Sequence, residues 1–204
     1  MRVKQASRKA DIMNRSQHIV LALVVTLTAS IAPATRVAAA ASAPTTSASA
    51  CEAAWGSLVK KRASYTSKQI TNVRSGRHRC FDRLVIDVNG TGRGEVGYQA
   101  RYVENVTEDG SGANVSLRGG AKLRLIVKAP AYDDNGGLTY TPANWDELVD
   151  VAGYRTFRQV SWAGTHEGQT TIGLGVRARL PMRVVVLNDP DGGRRVVVDV
   201  AHRW

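Results

Sequence analysis

Arg195-Val196-Val197-Val198-Asp199-Val200 repeats a phrase that occurs earlier as Arg83-Leu84-Val85-Ile86-Asp87-Val88. Both copies read Arg-apolar-Val-apolar-Asp-apolar. The alternation is that of a β-strand, in which residues two apart share a face. Leu84, Ile86 and Val88 are expected to point into a core, as are Val196, Val198 and Val200. Arg83 and Asp87, like Arg195 and Asp199, are expected to point outward.

Outward from these two stretches, the same alternation predicts strands near Ile70–Arg74, Phe81–Val88, Glu95–Val103, Lys122–Ala129, Tyr154–Trp162, Thr170–Val176, Met182–Leu187 and Arg195–Ala201. Turns rich in Gly, Asp and Asn separate them, such as Asn89-Gly90-Thr91-Gly92 and Asp189-Pro190-Asp191-Gly192-Gly193. Leu123, Leu125 and Val127 are expected inside, with Lys122, Arg124 and Lys128 outside; Ile172, Leu174 and Val176 inside, with Thr171, Gly173 and Gly175 outside. Met182–Leu187 is apolar on both faces, which predicts a central strand. Two short helices are expected. One lies within residues 51–62, with Trp55, Leu58 and Val59 on one side; the other runs over Thr141–Val151, with Thr141-Pro142 as its cap and Trp145, Leu148 and Val149 at helical spacing. The expected fold class is all-β: a sandwich of about eight strands with one or two short helices.

The N-terminus reads differently. Arg2, Lys4, Arg8, Lys9 and Arg15 precede an apolar run from Ile19 to Ala32, and small residues from Val37 to Ala43 offer cleavage after Ala40 or Ala43. The run is shorter than the roughly 20 apolar residues of a membrane-spanning helix. Residues 1–43 are therefore expected to be a signal peptide. Residues 44–69 are expected to be an Ala/Ser/Thr/Pro-rich linker and N-terminal segment, and 70–204 the sandwich domain. Residues 51–204 hold two cysteines, Cys51 and Cys80. A lipid-modified Cys51 stays open as an alternative, but it sits well beyond the apolar run, and in an oxidising compartment one disulfide is the expected use of both thiols. It would close a loop of about 30 residues, worth roughly 3–4 kcal/mol in the chain-entropy model. The whole sequence carries +11, whereas residues 51–204 hold 22 Lys/Arg against 16 Asp/Glu, or +6. For an exported protein that balance points to an anionic polymer or surface as partner, or simply to solubility, and away from nucleic acid.

Few residues offer chemistry. His78, His166 and His202 lie far apart, and no pair has metal-ligand spacing. His166-Glu167 would suit a hydrolase, but Gly164-Thr165-His166-Glu167-Gly168 reads as a turn between strands. No Gly-x-Ser-x-Gly elbow occurs. Asp133-Asp134-Asn135-Gly136 and Asp189-Pro190-Asp191-Gly192 hold oxygen ligands without completing a calcium loop; turn chemistry explains them, and weak calcium binding is the alternative. No catalytic residue, metal or cofactor is expected. Candidate ligand contacts are Arg83, Asp87, Arg195 and Asp199, as a polar stripe for hydroxyls and carboxylates, together with Tyr98 and Tyr102. The plainer reading of the stripe is a ladder of cross-strand ion pairs, each worth about 0–1 kcal/mol. The plainer reading of the tyrosines, with Tyr154 and Trp162, is half-buried core.

Arg77-His78-Arg79-Cys80-Phe81-Asp82-Arg83-Leu84-Val85-Ile86-Asp87, Tyr102-Val103, Asp109-Gly110-Ser111-Gly112, Gly164-Thr165-His166-Glu167-Gly168-Gln169-Thr170, Leu180-Pro181-Met182-Arg183 and the second repeat follow one another in order. Over about residues 70–202 the chain thereby resembles the AMIN-like domain of exported actinobacterial proteins. The resemblance implies a β-sandwich related to AMIN domains, which accompany cell-wall amidases and secretion pores and target them to peptidoglycan or the septum. It implies no catalytic residues. Within the 204 residues no hydrolase domain follows, so it bears on fold more than on activity. The expected function is a secreted, non-catalytic module that binds peptidoglycan or another anionic cell-wall glycan. The alternative is an envelope protein–protein module that uses a sheet edge, and a hydrolase built on His166 and Glu167 ranks third.

Overall fold

Two sheets face each other across the side chains that the alternation places inside. The computed structural model describes Cys51 and residues 54–204; the expected signal peptide and most of the linker lie outside the described residues. The strands are β1 (Lys60–Arg62), β2 (Gln69–Arg77), β3 (Phe81–Asn89), β4 (Gly97–Val103), β5 (Val106–Thr107), β6 (Asn114–Val115), β7 (Ala121–Lys128), β8 (Phe157–His166), β9 (Gln169–Val176), β10 (Met182–Asn188) and β11 (Arg194–Ala201). One sheet has the order β1-β4-β7-β9-β8, the other β10-β11-β3-β2, and β5-β6 forms a small hairpin. All the pairings are antiparallel. This is a β-sandwich, and each of the eight expected strands has its counterpart.

The two repeated stretches are neighbours. β3 and β11 pair with Arg83 opposite Asp199 and Asp87 opposite Arg195, so each copy's Arg meets the other copy's Asp. Beneath them Leu84, Ile86, Val88, Val196, Val198 and Val200 are fully buried against Leu123, Leu125, Val127, Ile172, Leu174 and Val176 of the facing sheet. A fully buried Leu or Ile stabilises by roughly 1.5–3 kcal/mol relative to exposure, which pins both register and face.

Four expectations change. Met182–Leu187 is not central: β10 is an edge strand, and its outer apolar residues Val185 and Leu187 remain 36% and 41% exposed. The edge is blunted where the Met182 N–H donates to the Gly56 carbonyl and the Tyr98 hydroxyl donates to the Val184 carbonyl. Thr171, Gly173 and Gly175 do point away from the main core, yet they are buried. Val106 and Leu117 lie over Gly173, and the Arg118 backbone lies on Gly175. Those residues belong to the β5-β6 hairpin and the chain after it, which form a second small core of Val106, Val115 and Ala163 with Val103 and Leu117.

Neither expected helix forms, and the described residues contain no helix. In 141–156 the side chains of Asn144 and Asp150 accept hydrogen bonds from the N–H two residues on, a local bond that competes with helix. The spacing of Trp145 and Leu148 serves docking instead: Leu148 N–H donates to Val160, Trp162 N–H donates to Trp145, and the segment covers the β8 edge. Cys51 is tied to Cys80 by the disulfide, and the described residues 54–62 turn at Gly56 (φ +63°) and extend as β1 along β4. No helix among the described residues is long and apolar enough to cross a membrane.

Candidate functional site

The outer face of the β10-β11-β3-β2 sheet carries three rows of side chains set by register. Arg183, Asp199 and Arg83 form one row; Val185, Val197 and Val85 the next, with Arg74; Leu187, Arg195 and Asp87 the third, with Asn72. Asp199 has no exposed surface. Its Oδ1 accepts from Arg83 Nε at 2.6 Å, and its Oδ2 from Arg83 Nη2 at 2.9 Å and Arg183 Nε at 2.8 Å. Asp87 is clamped by both Arg74 donors at 2.8 Å, and Arg195 turns to Asp189. Hydrogen bonding to the aspartates is the main cause that raises the Arg83 and Arg74 pKa values above the ordinary arginine value, against the opposing effect of burial. Arg83, Asp87, Arg195 and Asp199 therefore share one face, and on it each takes part in a ladder of ion pairs, Arg83 with Asp199, Asp87 with Arg74 and Arg195 with Asp189.

The charge of that ladder is paired internally, but its upper end continues into aromatic surface. Trp55 meets Phe81 edge-on at 5.6 Å, the Arg183 guanidinium lies over the Trp55 ring at 4.4 Å, and Arg83 lies over Phe81 at 5.2 Å. Both rings are half-buried, and the Arg183 side chain is 40% exposed. The Cys51–Cys80 disulfide, with Cα atoms 5.1 Å apart, holds the Trp55 segment there. It also occupies the sulfur that a lipid-modified Cys51 would use. Trp55, Phe81, Arg183 and Arg74 escaped the sequence reading. The expected disulfide was the available signal, since it brings Trp55, soon after Cys51, toward Phe81, which follows Cys80.

The other candidates lie elsewhere. Tyr98 and Tyr102 stand on the facing sheet and point into the sandwich, packed against the core. Tyr102 donates to the Leu180 carbonyl at 2.8 Å and accepts from the Leu180 N–H at 3.1 Å; burial raises its pKa above that of a free tyrosine. They do not join the Arg/Asp stripe. His166 and Glu167 sit at the tip of the β8-β9 hairpin, where Glu167 (φ +49°) and Gly168 (φ +74°) are both left-handed, as a tight hairpin turn requires. In the Asp loops, Asp133 Oδ1 accepts from Asn135 and Gly137 N–H groups and Asp191 Oδ1 from Gly193 N–H, so turn bonds use these oxygens.

A family model for the AMIN-like domain matches residues 68–202. No curated protein and no solved structure matches the chain.

Proposed function

Since the chain belongs to the AMIN-like domain family, whose members are cell-wall-related binding modules and generally non-catalytic, we propose that it is exported and attaches to peptidoglycan or an associated anionic glycan. The observation that carries this reading is the cluster of Trp55, Phe81, Arg183 and Arg83 on the sheet's outer face. Half-exposed rings can stack on sugar faces, and adjacent guanidiniums can bind the carboxylates or phosphates of a wall polymer. The disulfide and the basic, apolar N-terminal sequence support export. The net charge of +6 on residues 51–204 would speed encounter with a negative wall.

Co-sedimentation of the oxidised protein with purified sacculi tests the proposal. Saturable pelleting is expected, weakened several-fold by Trp55→Ala and by Arg183→Ala, and reduced as salt screens charge over about 8–10 Å. Normal pelleting of both variants would remove this face as the site, and no pelleting at low salt would remove the wall as partner.

A second reading has its own observation, the part of the β10 edge beyond Val184, with Val185 and Leu187 exposed beside it. An extended segment of an envelope protein could add there as a strand. Such binding would depend little on salt, would survive removal of wall polymer and would be lost in Leu187→Lys.

A further inference from the structure

At the end of the sandwich where β2 turns into β3, a cleft of about 240 Å³ opens between Arg77, His78, Arg79, Arg155 and His202, with Asp82 and Gly153 completing its lining. Three chain segments build it, and one carboxylate organises them. Asp82, 1% exposed, accepts at Oδ2 from the N–H groups of Thr156 and Phe157 and at Oδ1 from His202 Nε2 at 3.0 Å. The other ring nitrogen of His202 faces the Arg79 carbonyl at 3.2 Å. Asp82 thus fixes the backbone next to Arg155, the imidazole on the opposite wall and, through that imidazole, the turn carrying Arg79.

The one acid at the cleft is therefore occupied, while two of its arginines, Arg77 and Arg155, are not matched by an acid. Among the described residues neither Arg77 nor Arg155 has a carboxylate partner. Arg77 reaches over the Tyr154 ring at 5.9 Å, toward the loop that bears Arg155. An anion seated between cations that lack a counter-charge gains charge-assisted hydrogen bonds from both. On the ladder face Arg83, Arg183 and Arg74 already have aspartates; Arg77 and Arg155 do not.

We propose that this cleft binds a phosphate group. The arginines come from separate places in the chain, Arg77 at the end of β2 and Arg155 in the loop before β8, with the β2-β3 turn between them in the lining. Such a spread suits a tetrahedral acceptor with oxygens in several directions better than a planar carboxylate, which one guanidinium can hold by itself. The volume exceeds a water's share of about 30 Å³ several times over, enough for a phosphoryl group and its ester neighbours. His78 stacks on Phe81 at 4.4 Å, so the cleft adjoins the Trp55–Phe81 cluster. This deepens the wall-binding reading and rests on it only for the source of the phosphate, a phosphodiester wall polymer as opposed to free phosphate.

The test is amide-resolved NMR titration of the oxidised protein with inorganic phosphate at constant ionic strength, with acetate as the carboxylate probe. Saturable shifts are expected at residues 76–80, 153–157 and 202, and Arg77→Ala/Arg155→Ala should bind about tenfold more weakly, as loss of charge-assisted donors implies. Arg62→Ala/Arg101→Ala, remote from the cleft, should bind as the parent does. Equal binding by the double cleft variant, or equal response to acetate, would overturn the proposal. Sacculi with and without their phosphodiester polymers identify the source: loss of cleft-dependent pelleting on stripping assigns it to the polymer. Phosphate shifts without any pelleting would leave the cleft standing and sink the wall reading; pelleting with no phosphate shifts would do the reverse.

Discussion

Asp199 illustrates how much a single residue's surroundings decide. Its carboxylate is fully buried, while its partners Arg83 and Arg183 are partly exposed. Removing the acid leaves two guanidiniums that water can reach, whereas removing both bases leaves a buried, unpaired charge. Asp199→Asn should therefore cost about 1.5–3 kcal/mol, the worth of hydrogen bonds to a charged group, and Arg83→Ala/Arg183→Ala more, about 3–5 kcal/mol; urea unfolding at neutral pH checks the order. Tyr102 gives a pH dependence. Burial raises its pKa, and burial raises that of Tyr140 too. Above the ordinary tyrosine pKa of about 10 the unfolded chain loses these protons first, so the native state binds more protons and stability falls as pH rises. Below that value the contribution is complete. Denaturation curves from pH 8 to about 11 should show this decline, shallower in Tyr102→Phe, which also gives up the Leu180 bridge, worth about 0.5–1.5 kcal/mol at neutral pH.

At the scale of elements, glycine on β9 records what lies over the five-stranded sheet. A Cβ at Gly175 would land on the Arg118 carbonyl oxygen, a backbone atom, while one at Gly173 would come within 2.9 Å of the tip of the Leu117 side chain. Backbone cannot move aside as a leucine methyl can. Gly175→Ala should thus cost at or above the upper end of about 1–3 kcal/mol, and Gly173→Ala clearly less. Equal losses in thermal or urea unfolding would mean that the chain over β9 is less firmly packed than its contacts imply. The same covering explains why alternation assigned these residues to the outside correctly in direction and incorrectly in exposure.

For the whole molecule the decisive cross-link is Cys51–Cys80, with 29 residues of sequence separation. It joins the N-terminal segment to the start of β3 and so brings Trp55 to Phe81, beside the proposed phosphate cleft. Loss of the bond in Cys51→Ala/Cys80→Ala should cost roughly 3–4 kcal/mol in the chain-entropy model. It should also weaken pelleting with sacculi more than phosphate binding. Trp55 is held by the bonded segment, whereas Arg77 and Arg155 are placed by β2 and by Asp82. Calorimetry on the oxidised and cysteine-free proteins, with both binding assays, separates these effects.

Local alternation was enough to determine the eight main strands, their inward faces and the class of fold, because burial of Leu84, Ile86, Val196 or Val198 depends on a two-residue period written in the chain itself. The hairpin at His166-Glu167 was legible for a similarly local reason, and the pairing of Cys51 with Cys80 because residues 51–204 hold just those two cysteines. Neighbourhood was not. Only tertiary structure set β10 at an edge, docked the Trp145–Leu148 segment on β8 in place of a helix, and turned Tyr98 and Tyr102 inward, away from the Arg/Asp ladder. It also decided which arginines meet an aspartate and which, like Arg77 and Arg155, do not. Those outcomes depend on distances between residues remote in sequence, and a strand's pattern states which face it buries but not what it will lie beside.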